Sequence, residues 1–222
     1  GNILKSGISD STYNTQTTFY NYSVNNVLNK VRLLPPRVDF SFNVGYGWLP
    51  KTEGLTGTDK QFDDKLTSGL AWDLAFHHYI KNFGWGIFYS GYSSDSYYEK
   101  TNMDHNVLFS YIAPLFCTKY SFNKKWMING EVGIGYLKFS DKISSGIEKG
   151  KTYVSTIGFN YGIGIEYKLN KHMGIGISFN EIIGSAFLKN IKMENVHSTI
   201  VYNDYDRINL NRFNLLGGIR FY

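Results

Sequence analysis

Apolar and polar residues alternate one by one along several stretches of the chain, as expected of β-strands that present one apolar face. The clearest stretches are 38–48, 126–136, 157–167, 173–179 and 213–221. In the first, one face holds Val38, Phe40, Phe42, Val44, Tyr46 and Trp48, and the other holds Asp39, Ser41, Asn43, Gly45 and Gly47. The same period in five separate places predicts an all-β protein.

Three shorter stretches complete the set. Residues 69–77 place Leu70, Trp72, Leu74 and Phe76 on the apolar face, and residues 85–90 place Trp85, Ile87 and Tyr89 there. In the stretch 107–115 the apolar face holds Val107, Phe109, Tyr111, Ala113 and Leu115, with Ser110 and Pro114 on the other face. The pattern therefore predicts about eight antiparallel strands.

The predicted connections alternate between short and long. Short ones lie near 81–84, 121–125 and 169–172, and long polar ones cover roughly 50–66, 93–104, 140–151 and 183–206. Short turns at one rim and long loops at the other are typical of up-and-down barrels in the outer membrane, with both termini on the periplasmic, short-turn side.

The composition decides which face meets lipid. The second face is mainly Gly, Asn, Ser and Ala, whose small side chains suit a narrow lumen. A soluble barrel would instead present Lys, Glu and Thr to water on that face and turn its apolar face inward. We therefore expect the apolar face to point outward into a bilayer. Aromatic residues near the strand ends predict interfacial girdles, and these residues are Trp48, Trp85, Trp126, Tyr136 and Tyr167.

The five clearest segments and the loop asymmetry resemble the small eight-stranded outer-membrane barrels of the OmpA/OmpX type. The resemblance covers about 36–222. The ending Gly218-Ile219-Arg220-Phe221-Tyr222 is similar to the aromatic assembly signal of such barrels, although the alternation places Phe221 on the lipid face in place of Tyr222. The resemblance implies a bacterial outer-membrane location for the mature form, since no signal peptide is present. We expect a monomer in contact with outer-membrane lipid and lipopolysaccharide.

Residues 1–35 lack the alternation and are polar, with many Tyr, Asn and Thr. We interpret them as a polar tail that is periplasmic or packed on the barrel. The barrel itself is expected to span 36–222.

Charged residues on the small-residue face should meet inside the barrel. An isolated charge in a narrow lumen is costly, so we predict a polar network that locks the barrel, with a narrow ion path as the alternative. Its predicted members are Arg37, Asp39, Asp73, Glu131, Glu166, Arg212 and Arg220. The short-turn side is basic, and we interpret its lysines as solvated rim residues: Lys81, Lys119, Lys124, Lys125, Lys168 and Lys171.

Residues suited to catalysis are few. His77-His78, His105 and His197-Ser198, the last near Glu194, are the candidates. Adjacent residues of an extended chain point apart, so their spacing is poor for a catalytic pair. We predict no catalytic residues, no metal and no cofactor, and the scattered basic residues do not indicate nucleic-acid binding.

The function predicted from the sequence is therefore non-enzymatic: a barrel that presents surface loops, with an extracellular ligand, for adhesion, envelope integrity or defence. The alternatives are a lipid A-modifying outer-membrane enzyme and a soluble lipocalin-like ligand-binding barrel.

Overall fold

The computed structural model describes residues 35–50, 65, 67–98, 102–145, 148–187, 192–194 and 207–222. Among them, no helix has the length and apolar character needed to cross a membrane. The predicted polar tail, 1–35, lies outside the described residues except for Pro35. The strands are β1 (Val38–Trp48), β2 (Ser68–Ile80), β3 (Phe83–Tyr98), β4 (Met103–Ser121), β5 (Trp126–Ser145), β6 (Glu148–Lys168), β7 (Met173–Phe187), β8 (Lys192–Glu194), β9 (Arg207–Asn209) and β10 (Arg212–Phe221).

Eight of these strands form a closed antiparallel ring, in the order β1–β2–β3–β4–β5–β6–β7–β10. β10 closes the ring by pairing with β1 from Phe221 opposite Phe40 to Phe213 opposite Trp48. The short strands β8 and β9 pair with β6 and β7 beyond the ring. The predicted eight-stranded up-and-down barrel is confirmed, and its short turns lie where the sequence places them, at 81–82, 122–125 and 169–172.

Neighbouring strands are displaced along one another, so a path through paired residues spirals around the barrel. The path that leaves β1 at Trp48 returns to β1 at Val38, ten residues away. It passes through Phe213, Glu181, Tyr161, Val132, Phe116, Trp85 and His78. Ten residues of stagger over eight strands correspond to a strand tilt of about 40°. Transmembrane barrels have this tilt.

The apolar face of the strands points outward, as predicted. On β1, Phe40, Phe42 and Tyr46 are exposed, whereas Asp39 and Asn43 are buried in the lumen. Exposed apolar residues cover the outside of the other barrel strands as well. A soluble barrel would carry its polar face outside, so the lipocalin-like alternative is wrong.

The five aromatic residues predicted to form interfacial girdles lie at two levels of this exterior. Trp85, Trp126 and Tyr167 lie beside the short turns, and Trp48 and Tyr136 lie toward the opposite rim. Trp126 and Tyr136 are ten residues apart on β5, which at a tilt of about 40° gives a vertical distance of about 25 Å. That distance equals the usual height of the apolar band of a transmembrane barrel, about 25 Å. We call the level of Trp48 and Tyr136 the outer girdle level.

β4 departs from the sequence prediction. The predicted apolar face at 107–115, which includes Phe109 and Tyr111, points into the barrel, and Ile112, Pro114 and Phe116 face outward. The assignment was wrong because the lumen is itself apolar at this height, so both faces of β4 are apolar. The ladder between β4 and β5 lacks pairs at 113–114 but keeps its register on both sides, as expected where proline offers no N–H.

Four strands continue well beyond the outer girdle level. Residues 93–98, 103–111, 137–145 and 148–156 extend β3, β4, β5 and β6 by about 15–20 Å outside the apolar band; together they form what we call the extracellular platform. The predicted loops at 93–104 and 140–151 are therefore largely strand. Sequence alternation did not reveal this because both faces of the platform tips are polar.

Candidate functional site

Lys119 is the centre of a buried ionic cluster in the periplasmic half of the lumen. Its side chain, near the end of β4, is fully buried. The Nζ atom donates to the carboxylate of Asp39 on β1 and lies 3.0 Å from Oε2 of Glu166 on β6. On the other side of Glu166, Nε of Arg220 on β10 lies 3.1 Å from Oε1. Two cations and two carboxylates therefore pair across the lumen and join four strands.

Two tyrosine rings flank Lys119. Its Nζ lies 5.1 Å from the ring centroid of Tyr79 and 5.8 Å from that of Tyr222. The hydroxyl of Tyr222 donates to Oε2 of Glu166 over 3.3 Å. The C-terminal residue thus points toward the cluster, while Phe221 faces outward and is exposed, as the alternation predicts.

His77 extends the cluster toward β5. Its Nδ1 lies 2.7 Å from Oδ1 of Asp39, and its Nε2 lies 3.3 Å from Oε2 of Glu131. The imidazole therefore bridges two carboxylates on strands that do not pair with each other. Gly86, opposite His77 on β3, leaves room for the ring, since a Cβ there would lie 3.1 Å from Cδ2 of His77.

A chain of side-chain amides leads from Arg220 toward the middle of the lumen. Arg220 donates to Asn43, and the amide of Asn43 donates to Asp73. The second oxygen of Asp73 accepts from Nδ2 of Asn180 over 3.1 Å, and Oδ1 of Asn180 accepts from Asn214 over 2.6 Å. Each of these residues is buried, so hydrogen bonding compensates their removal from water.

The extracellular half of the lumen is filled by an apolar core. Large rings and branched side chains from several strands meet there: Phe88, Tyr92, Phe109, Tyr111, Leu137, Val154, Ile182 and Leu216 are among its members. Phe109 packs edge-on against Tyr92, with ring centroids 5.8 Å apart. Arg212 is fully buried beside this core, where its guanidinium donates to Ser90 and lies 5.7 Å from the ring of Tyr92.

Little space is left between the two halves. A cavity of about 20 Å³ lies among Asn43, Asp73, His77, Glu131 and Arg220, which is enough for about one water molecule. The described part of the lumen therefore has the character of a packed interior, polar toward the periplasm and apolar toward the outside.

The extracellular platform carries a second polar cluster. Nδ1 of His105 on β4 lies 3.0 Å from Oδ2 of Asp141 on β5. Ser96 on β3 is the direct cross-strand partner of His105, and directly paired residues share one face of a sheet. A serine, a histidine and a carboxylate thus lie on three adjacent strands, on the inward face.

The structure brings most of the predicted lumen residues together. Asp39, Asp73, Glu131, Glu166 and Arg220 belong to the linked network, and Arg212 is buried farther toward the outside. Arg37 does not join them, because it is exposed just before β1.

Lys119 is the central residue that the sequence interpretation missed. It was assigned to the solvated basic rim, yet it is fully buried. Alternation along β4 could not reveal it, because the sequence places the odd-numbered residues of this strand, to which Lys119 belongs, on the outward face. His77 likewise enters the sequence analysis only as a catalytic candidate. His197 and Ser198, the remaining catalytic candidates, lie outside the described residues, as does the side chain of Glu194.

An apolar exterior, a packed lumen and short turns at one rim define a transmembrane β-barrel of the outer-membrane type. No protein-family model matches the sequence, and no curated protein matches it. Among solved structures, Neisserial surface protein A is similar over 84% of this chain and 97% of its own, with a TM-score of 0.52 and 10% identity. This likeness confirms at the level of the fold the predicted resemblance to small outer-membrane barrels.

Two further solved structures resemble the chain with lower scores. Ail of Yersinia pestis, solved in complex with a heparin analogue, is 14% identical and covers 84% of this chain and 100% of its own, with a TM-score of 0.47. The outer membrane protein OprG of Pseudomonas aeruginosa is 12% identical, with coverages of 82% and 94% and a TM-score of 0.47. The predicted outer-membrane location agrees with the apolar exterior of the barrel.

Proposed function

We propose that this chain is a non-enzymatic outer-membrane barrel that presents extracellular contacts for adhesion, envelope integrity or defence. The observation that carries the proposal is a platform of four long strands raised above a lumen filled by side chains. A filled lumen argues against a pore, because eight strands leave an interior that side chains can occupy completely. The platform, in contrast, projects beyond the apolar band into the extracellular space.

The outer face of the platform is suited to recognition. A shallow depression of about 420 Å³ opens there, and its lining consists of Lys65, Asp95, Ser96, Tyr97, Asp104, His105, Asn106, Lys142 and Ser144. Tyr97 is 49% exposed. A mixture of tyrosine, amide and charged groups is typical of adaptable contact surfaces. The ligand expected from this chemistry is a polar extracellular macromolecule.

Shortening the platform tests this proposal. A two-residue Asn-Gly turn would replace 95–106, and a second would replace 141–152, which keeps paired residues at both new ends. Heat-modifiable gel mobility would check that the shortened barrel folds. Bacteria displaying the full chain should adhere to epithelial cells or survive serum better than bacteria displaying the shortened chain. Equal behaviour in adhesion, serum survival and envelope permeability would overturn the proposal.

The second candidate function is hydrolysis at Ser96, His105 and Asp141. The bond between His105 and Asp141 orients an imidazole as in nucleophile–base–acid arrangements, and Ser96 lies opposite it. An enzyme of this kind would not act at the lipid face, because these residues point inward on the platform. A fluorophosphonate probe distinguishes the two functions. Labelling lost in Ser96→Ala and His105→Ala but retained in Ser94→Ala would establish the enzyme, and absence of labelling supports the non-enzymatic barrel.

A further inference from the structure

A groove of about 550 Å³ runs along the outer wall of the barrel where β6 and β7 part. The two strands pair only as far as Gly158 opposite Gly184. Beyond that point β7 pairs with β9, through Ser185 opposite Asn209. The small residues Gly158, Gly184 and Ser185 line the groove together with larger side chains.

The groove changes character at the outer girdle level. Ile157 is opposite Tyr136 in the strand register and is 74% exposed, so it marks that level. On the periplasmic side of this level, within the apolar band, the groove is lined by the apolar residues Ile134, Phe159 and Ile183. On the extracellular side the lining is mainly polar and consists of Ser185, Asn209, Asn211 and Arg207, with Ile208 as its apolar member.

Arg207 supplies a positioned cation at the polar end. Its Cζ atom lies 4.2 Å from the ring centroid of Phe187, which orients the guanidinium plane. A guanidinium binds phosphate oxygens with paired, charge-assisted hydrogen bonds. Lys138, the next outward residue after Tyr136 on β5, is a further exposed cation just beyond the outer girdle level. Glu181, the carboxylate below the groove, is already hydrogen-bonded to the hydroxyl of Tyr161.

Two asparagines present donors at the same end. Oδ1 of Asn211 accepts from the backbone N–H of Gly184 over 3.1 Å, and Oδ1 of Asn209 accepts from the N–H of Asn211 over 2.9 Å. Because both carbonyl oxygens are used in this way, the amide Nδ2 ends are the ends left for a ligand's acceptors. Such groups suit the hydroxyl and amide oxygens of a sugar.

We propose that this groove binds a phosphorylated, multiply acylated glycolipid of the outer leaflet, which is the chemistry of lipopolysaccharide. The acyl chains lie against Ile134, Phe159 and Ile183, and the sugar phosphate lies at Arg207. The inference rests on the proposed membrane orientation, in which the long-loop side is extracellular. It does not depend on the platform ligand, so either proposal can fail without the other.

Retention of lipid A by the purified chain tests the proposal. The full-length chain would be placed in nanodiscs of phosphatidylethanolamine and phosphatidylglycerol containing lipid A, and retained lipids would be counted by native mass spectrometry. Arg207→Ala should lower lipid A retention by about fivefold or more, since it removes a charge-assisted contact. Ser185→Phe should lower it similarly, because it places a large ring on an exposed lining residue of the groove.

Matched controls separate a built site from general attraction. Lys124→Ala removes an exposed cation at a periplasmic turn, and Gly217→Phe adds an outward ring where a new Cβ has no heavy atom closer than 3.9 Å. Both should retain lipid A as the parent does. Equal losses in Arg207→Ala and Lys124→Ala, or equal retention of phosphatidylglycerol and lipid A, would overturn the proposal. Undiminished binding of dephosphorylated lipid A would also contradict the role of Arg207.

Discussion

Arg220 on β10 reaches across β7 to Glu166 on β6, with 3.1 Å between Nε and Oε1. The two strands do not pair, and the side chains meet above Gly176 of the intervening strand. A Cβ at position 176 would lie 2.9 Å from the backbone oxygen of Ile165, 3.2 Å from Cγ of Glu166 and 3.3 Å from a terminal nitrogen of Arg220. The ion pair therefore depends on a strand residue that has no side chain.

Gly176→Ala should destabilise the barrel by about 1–3 kcal/mol, because a methyl group overpacks the site of the ion pair. Gly217→Ala, on the outward face of β10, is the matched control. A Cβ there meets its nearest heavy atom at 3.9 Å, so this change should be neutral or stabilise by about 0.4–1 kcal/mol through the unfolded chain. Urea unfolding in lipid vesicles measures both. Equal effects at the two positions would contradict the crowding described at Gly176.

Lys119→Met should cost about 3–5 kcal/mol of folding free energy, because it leaves Asp39 and Glu166 as buried carboxylates without their shared cation. Lys124→Met, at an exposed turn position, should change stability by less than about 0.5 kcal/mol. Adding Glu166→Gln to Lys119→Met should recover part of the loss, since the two residues are in contact and their effects are not additive. A double variant as unstable as the sum of its parts would show that the two residues are not coupled.

A charged substitution on the outward face of β6 should cost more folding free energy the closer it lies to the middle of the bilayer. Ile163→Arg, near mid-height and 56% exposed, should cost about 2–4 kcal/mol in a bilayer. Ile157→Arg, at the outer girdle level on the same strand, should cost about 0–1 kcal/mol. Unfolding titrations in vesicles compare the two variants. Similar costs would contradict the membrane level assigned to Tyr136 and Ile157.

Glu181 is a carboxylate on the outward face of β7, within the outer half of the apolar band. It is only 8% exposed and accepts a hydrogen bond from Tyr161 on β6. Tyr161→Phe should therefore destabilise the barrel, because the acceptor on Glu181 loses its partner in a medium without water. The double variant Tyr161→Phe with Glu181→Leu should be more stable than Tyr161→Phe alone. The opposite order would show that Glu181 does not depend on Tyr161.

The sequence predicts the barrel well where the lumen is lined by small or polar residues. β1 and β6 alternate clearly because Asn43, Gly162 and Gly164 face opposing strands in a narrow space. Alternation does not identify the outward face of β4, because Phe109 and Tyr111 fill the apolar extracellular half of the lumen. Both faces of this strand are therefore apolar. A single strand cannot indicate how the far side of the lumen is filled.

The site was harder to predict than the strands. The inward charges of β1, β6 and β10 follow from alternation, but their partners depend on the ten-residue stagger around the ring. Lys119 illustrates this, since a lysine beside a turn has the appearance of a solvated residue until the register brings Asp39 and Glu166 to it. The pairing of His105 with Asp141 depends on strand extensions whose tips are polar on both faces.

The ionic network also bears on how the barrel assembles. Arg220 lies on the last strand and Asn43 on the first, 177 positions apart, and they are hydrogen-bonded only when the ring is closed. Before β10 docks, Glu166 lacks one of its two cations, and a sheet with an open seam would hold that charge incompletely paired next to lipid. The pairing of β10 with β1 and the full pairing of the lumen charges therefore occur together. A nearly finished barrel missing its final strand should be a high-energy species, which makes insertion cooperative and its completion hard to reverse.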